Sequence, residues 1–153
     1  MRKGDLAEDF ELPDQNGKPL RLSAVLAEGP AVLFFYPLAM SGGCTLELQH
    51  FRDRQHEFTE LGARLVGVSR DSVERQAKFA TENQVSFPLL SDAEGLVVEA
   101  YGVKRRLLAK TLPVKRSTFV INSERRIVEV ISSETDMKTH ADSALAALTT
   151  RQL

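Results

Sequence analysis

Cys44 is the only cysteine in this 153-residue sequence. A lone cysteine excludes an internal disulfide and a cysteine-rich zinc site, and it suits a reducing compartment. Two readings remain, a buried inert thiol or a reactive one. Its surroundings are FFYPLAMSGGCTLELQHFRD: an apolar run, Pro37, a short loop, and a segment with helical spacing. This order puts Cys44 in the first turn of a helix. The first N–H groups of a helix lack partners within it, and with the helix dipole they favour a nearby anion. A thiolate is such an anion, and a helix N-terminus is one of the settings that activate cysteine. Gly42 and Gly43 carry no Cβ, so a ligand can come close to the backbone there.

The elements that position Cys44 read as strands alternating with helices. Phe10 to Leu12 and Leu20 to Leu22 read as an N-terminal hairpin around the turn Asp14 to Gly17. Ala31 to Tyr36 is a continuous apolar run, as in a central strand buried on both faces. From Gly43 to about Leu61, Leu48, Phe51, Phe58 and Leu61 recur at helical spacing, and Gly62 stops that helix. Leu65 to Val68 is the next buried strand. Asp71-Ser72 opens a helix that ends before Phe87-Pro88. Leu89-Leu90 reads as a short strand, Gly95 to Tyr101 as a short helix, Thr118 to Ile121 and Ile127 to Ile131 as a strand pair, and Ala141 to Leu148 as a closing helix. Such alternation implies parallel strands with helices on both faces, and sites in these sheets lie at the carboxyl ends of strands. Cys44 falls just past the end of the central strand.

No repeat, low-complexity stretch or linker interrupts the chain, so residues 1–153 are expected to form one domain. The formal net charge of -1 gives no global attraction to nucleic acid or an anionic membrane. The charged start, MRKGDLAEDFELPD, lacks the apolar core of a signal peptide. The longest apolar run is well short of the ~20 residues of a membrane span. A cytoplasmic location is expected. His50, His56 and His140 show no metal spacing with Cys44, and no haem, flavin or nucleotide signature is present, so neither metal nor cofactor is expected.

Pro37, Ser41 and Cys44 together resemble the peroxiredoxin active-site motif P-x-x-x-[ST]-x-x-C. FFYP before it and CTLE…FRD after it resemble the Q branch, the bacterioferritin comigratory proteins. GVSRDS (Gly67 to Ser72), FPLLSD (Phe87 to Asp92), Tyr101-Gly102-Val103 and KRSTFVI (Lys115 to Ile121) resemble that branch in the same order, so the likeness covers nearly the whole chain. It implies an α/β thioredoxin-like fold: a central mixed sheet flanked by helices, with an N-terminal β-hairpin. It also implies a thiol peroxidase acting on hydrogen peroxide and organic hydroperoxides. Carried over by position, Cys44 is the peroxidatic cysteine, and Ser41 hydrogen-bonds the peroxide. Arg116 stabilises the thiolate and the peroxide oxygens, Pro37 shields the sulfur, and Glu47 helps to hold the arginine. Relatives of this branch imply a monomer or weak homodimer.

The chemistry shows why several groups are needed. A free cysteine of pKa ~8.5 is roughly 7% thiolate near pH ~7.4, so full ionisation gains only ~13-fold, about 1.5 kcal/mol. Nucleophilicity also falls with pKa. A fast peroxidase therefore needs donors aimed at the two oxygens as the O–O bond stretches. Ser41 offers an orientable hydroxyl, Arg116 fixed N–H donors and a permanent charge, and Gly43 and Cys44 their backbone N–H groups. Lys115, one position earlier, points to the opposite face. Taken singly, Ser41 reads as a helix N-cap, Arg116 as a surface charge, Glu47 as a complement to the helix dipole and Pro37 as a strand end. Their order around the only cysteine favours the functional reading. The basic stretch Lys104, Arg105, Arg106, Lys110 and Lys115 reads as a solvated face.

Many Q-branch proteins carry a resolving cysteine five residues after the first, and others carry it on the next helix. Here the first position is Gln49 and the next helix has no cysteine. The resemblance therefore implies a one-cysteine enzyme whose sulfenic acid is recycled by an external thiol: a thioredoxin-like protein, a glutaredoxin-like protein or a small thiol. A peroxide sensor that relays oxidation to a partner shares the first step and stands as the alternative. An inert thioredoxin-fold binding module is disfavoured by the presence of both Ser41 and Arg116.

Overall fold

The computed structural model describes residues 1–104 and 114–151. The chain opens with a hairpin, β1 (Glu11–Pro13) and β2 (Pro19–Arg21), and runs into a short helix, α1 (Leu22–Leu26). Then follow β3 (Ala31–Phe35), α2 (Gly42–Asp53), α3 (Gln55–Glu60), β4 (Arg64–Ser69) and α4 (Val73–Glu82). The remainder is β5 (Leu89–Ser91), α5 (Leu96–Ala100), β6 (Ser117–Ile121), β7 (Ile127–Ser132) and α6 (Met137–Arg151). Among the described residues, five strands form the main sheet in the order β5-β4-β3-β6-β7. β3, β4 and β5 run parallel, while β6 and β7 are antiparallel additions on the other side of β3. The sheet is therefore mixed, and β3 is central.

The alternation of a strand divides its side chains between two cores. Val32, Phe34 and Tyr36 point to a layer made with α2, α3, α4 and α6. Leu33 and Phe35 point to the opposite layer, with α1, α5 and Tyr101. This is why the apolar run has no polar positions: both faces are covered. Gly67 on β4 pairs with Phe34. A Cβ there would stand 2.9 Å from the Phe34 ring and 2.8 Å from Leu89, so the large ring on β3 needs a glycine beside it.

The observed elements differ from the expected ones in four places. The helix expected from Gly43 to Leu61 is two helices, interrupted at Arg54 (φ -106°, ψ 6°). No glycine or proline causes the break. Phe51 and Phe58, on either side of it, both lie in the core with ring centroids 6.0 Å apart, while Leu61 is exposed. Asp71 is not in the following helix; Ser72 caps α4 by accepting from the Arg75 N–H at 3.2 Å. α1 follows the hairpin directly where only a strand was expected. α6 is longer than Ala141 to Leu148 at both ends, because an Asp136 carboxylate accepts from the Thr139 N–H at 3.2 Å and starts it earlier.

Candidate active site

Tyr36 directly follows β3, and Pro37 begins the loop to α2. Pro37 and Ala39 are buried. Met40 takes the left-handed backbone (φ 69°), which is uncommon for a residue with a Cβ. It turns the chain so that Ser41 becomes the N-cap of α2, its Oγ accepting from the Cys44 N–H at 3.3 Å. Cys44 thus sits in the first turn as expected, and Ser41 occupies the cap. The Cys44 N–H is engaged there, so of the two backbone donors expected to be available this one already has a partner.

A buried carboxylate from the β4–α4 turn holds the loop. Asp71 Oδ2 accepts from the Ala39 N–H at 2.8 Å and from the Ser69 hydroxyl at 2.7 Å. Its Oδ1 accepts from Arg75 Nε at 2.9 Å, and Arg75 Nη2 reaches the Ala39 carbonyl at 3.1 Å. One side chain on β4's exit therefore clamps the segment that aims Ser41. Asp71→Ala leaves a buried N–H unpaired. It is expected to lower unfolding free energy by about 3 kcal/mol in urea titration and to slow oxidation of Cys44 in parallel. Asp71, expected to open the helix with Ser72, instead holds the active-site loop; the polar Ser-Arg-Asp cluster directly after a buried strand is its signal in the sequence.

Arg116 lies just before β6, the antiparallel neighbour of β3, and so reaches the same end of the sheet. It is 5% exposed and not a surface charge. Its Nη1 donates to Glu47 Oε1 at 2.8 Å, and Glu47, one turn along α2 from Cys44, is 1% exposed. Burial works against the guanidinium charge, but Glu47 and the Cys44 sulfur more than offset it and raise the pKa of Arg116. Burial pushes Glu47 up to about 7, against the pull of Arg116. A Cβ on Gly43 would stand 3.2 Å from Arg116 Nη2 and 3.5 Å from Met137 Cε. The space at Gly43 is taken by these side chains rather than left open to a ligand.

Cys44 itself is 1% exposed and packs in the core layer with Tyr36, Ala39 and Leu48. The structure thus brings together Pro37, Ser41, Gly43, Cys44, Glu47 and Arg116 at the carboxyl end of β3. Two further buried groups join them. Tyr36 donates its hydroxyl to Gln76 Oε1 at 2.5 Å. His140 of α6 stands 3.5 Å from Glu47 Oε2. His140 carried no spacing signal, since sheet and helix packing alone bring it to Glu47. Gln49 Nε2 donates to Asn83 Oδ1 at 3.0 Å, tying α2 to the end of α4. Lys104 and Lys115 are exposed; Arg105, Arg106 and Lys110 of the same basic stretch lie outside the described residues.

The profile of the AhpC/TSA family matches residues 3–130. A crystal structure of peroxidoxin BcpB from Mycobacterium tuberculosis is 56% identical and covers 99% of this chain and 98% of its own, with a TM-score of 0.93. The peroxiredoxin Bcp of Bacillus subtilis is 36% identical over 95% of this chain and 93% of its own length. A structure of Xanthomonas campestris peroxiredoxin Q is 32% identical over 94% of this chain and 92% of its own, with a TM-score of 0.86. The fold is accordingly the thioredoxin-like one expected, with the hairpin ahead of the central strand. Among the described residues, no helix is long and apolar enough to cross a membrane.

Proposed function

The chain belongs to the AhpC/TSA family and is a thiol-dependent peroxidase; on that premise we propose that Cys44 is its peroxidatic thiol, that it reduces hydrogen peroxide and organic hydroperoxides, and that an external thiol recycles it. One observation carries this reading: a buried arginine, held by a buried carboxylate, bears on the sulfur of a cysteine in the first turn of a helix. The Cys44 thiolate attacks one peroxide oxygen. An S–O bond forms, the O–O bond breaks, and the electron pair leaves on the other oxygen, which takes a proton to become water or an alcohol. The sulfur, oxidised by two electrons, becomes a sulfenic acid. Arg116 and the Ser41 hydroxyl stabilise the charge that builds on the oxygens. Pro37 and the surrounding core shield the sulfur from bulk water, and Glu47 orients the guanidinium.

An outside thiol then condenses with the sulfenic acid, releasing water, and a second thiol frees Cys44 as a disulfide forms. The chain contains no second cysteine to do this. We also propose a cytoplasmic location, which the plentiful reduced thiols of that compartment support. Stopped-flow oxidation of the reduced protein, followed by intact mass, tests the reading; a second-order rate no faster than that of free cysteine would refute it. Turnover with added thioredoxin or small thiol separates an enzyme from a sensor.

A sulfenic acid without a neighbouring thiol is open to further oxidation. Repeated millimolar-range peroxide without thiol is therefore expected to add a second oxygen to Cys44, giving a sulfinic mass. Persistence of the reduced or singly oxidised mass would refute this expected overoxidation.

A further inference from the structure

Among the buried titratable side chains at the site that the reaction above leaves unused is His140. His140 is 0% exposed. Its Nε2 lies 2.8 Å from the Ser133 carbonyl oxygen, its Nδ1 2.8 Å from Thr118 Oγ1 and 3.5 Å from Glu47 Oε2. A carbonyl only accepts, so Nε2 carries a hydrogen. Burial lowers the pKa of His140, against the bond to Ser133. The neutral ring then presents a bare lone pair at Nδ1, to which the Thr118 hydroxyl donates.

Glu47 completes an unbalanced set. Its Oε1 is taken by Arg116, and among the described residues its Oε2 has no hydrogen-bond partner. If Glu47 is ionised and His140 neutral, two lone pairs face each other in a buried space, and neither is satisfied by the other. One proton removes the conflict. It resides on Oε2 and donates toward Nδ1, or on Nδ1 and donates to Oε2 while the Thr118 hydroxyl turns to accept.

We propose that His140 and Glu47 share this single buried proton, and that His140 is thereby a positioning residue which sets how much of the Arg116 charge is left for the Cys44 sulfur. With the proton present, the Glu47–His140 pair carries no net charge and the guanidinium faces the sulfur with its charge undivided. With it absent, the Glu47 carboxylate neutralises that charge. The charged groups facing the pair are Arg116, which opposes charge on His140, and Glu134 and Asp136 from the β7–α6 connection, which favour it; Glu134 also opposes charge on Glu47. Burial places loss of the proton from Glu47 at about 7. The effect on rate rests on the peroxidase reading; the shared proton does not.

The test follows the protonated carboxyl stretch of Glu47 by infrared titration, assigned by subtracting Glu47→Gln, alongside stopped-flow oxidation of Cys44 by hydrogen peroxide across the same pH range. Two variants are expected to move the midpoint in opposite directions. His140→Asn replaces an acceptor with an amide able to donate to the carboxylate, so the midpoint falls by about one unit, a tenfold change in the protonation equilibrium. Thr118→Val removes the competitor for the Nδ1 lone pair, so the midpoint rises. The loss of rate on the alkaline side shifts with the midpoint in each case. Unmoved midpoints, or a shift of both variants in the same direction, would overturn the proposal. If His140→Asn does not fold, Thr118→Val decides alone: a rise supports the shared proton, and no change or a fall refutes it. Opposite shifts in a protein that reacts no faster than free cysteine would uphold the proton pair and reject the peroxidase reading.

Discussion

Cys44→Ser is expected to abolish peroxide consumption while leaving a folded protein. The hydroxyl of serine is not ionised near neutral pH, so no anion forms at the start of α2, and an alcohol has no accessible two-electron oxidation by peroxide. The rate should fall to the background of the assay. The structural cost is small by comparison. Cys44 is 1% exposed in an apolar layer, and burying a hydroxyl there without a good partner costs about 1–3 kcal/mol. Thermal denaturation is therefore expected to shift downward by several degrees with one cooperative transition retained. Residual peroxide consumption above background in this variant would mean that another group reacts, and the role given to Cys44 would be wrong.

Arg116→Ala is expected to slow Cys44 oxidation by ~100-fold or more, the scale of losing one preorganised donor to developing oxyanion charge. Ionisation of the sulfur alone accounts for at most ~13-fold, so stopped-flow rates measured well above the thiolate transition isolate the larger effect. A rate within that smaller factor of wild type would remove the transition-state role. Arg116→Lys is expected to recover little, because an ammonium cannot bond Glu47 and face the sulfur from one planar fork.

The same substitution carries a pH-dependent cost in stability. Removing one partner of a buried ion pair costs about 3–5 kcal/mol when the other charge is stranded. Glu47 avoids part of this by staying protonated. In wild type its folded pKa, about 7, lies above its ordinary value of 4.5, so its contribution to stability falls as pH rises between those values. Without Arg116 the folded value climbs further and the decline continues past 7. The gap in unfolding free energy between wild type and Arg116→Ala should therefore be narrow below pH ~6 and widen above pH ~7. A constant gap across that range would show that the Arg116–Glu47 pair does not set the charge of this site.

Much of the site was legible from local order. A buried run, a proline, a cap residue and a cysteine at the start of a periodic segment are separated by few residues, and backbone geometry does the rest. Ser41 as N-cap and Cys44 in the first turn follow from that order. Arg116 was found through resemblance, since 69 residues separate it from Glu47. Asp71 and His140 were missed for a related reason. Each acts through partners supplied by other elements: Ala39 and Arg75 for Asp71, Thr118, Ser133 and Glu47 for His140. The helix break at Arg54 was also invisible, because no helix-breaking residue marks it.

What the sequence alone determined was the chemistry available and its local placement: one thiol, at a helix start, after a strand covered on both faces, with no second thiol to resolve it. Periodicity, capping and residue count suffice for those statements because they concern neighbours along the chain. The tertiary structure decided which charges meet. Antiparallel pairing of β6 with β3 delivers Arg116 to the sulfur, and packing of α6 against α2 delivers His140 to Glu47. Burial then sets their energetics, because a carboxyl, an imidazole and a guanidinium removed from water cannot all hold their ordinary charges. That competition exists only once the sheet and helices have closed around them.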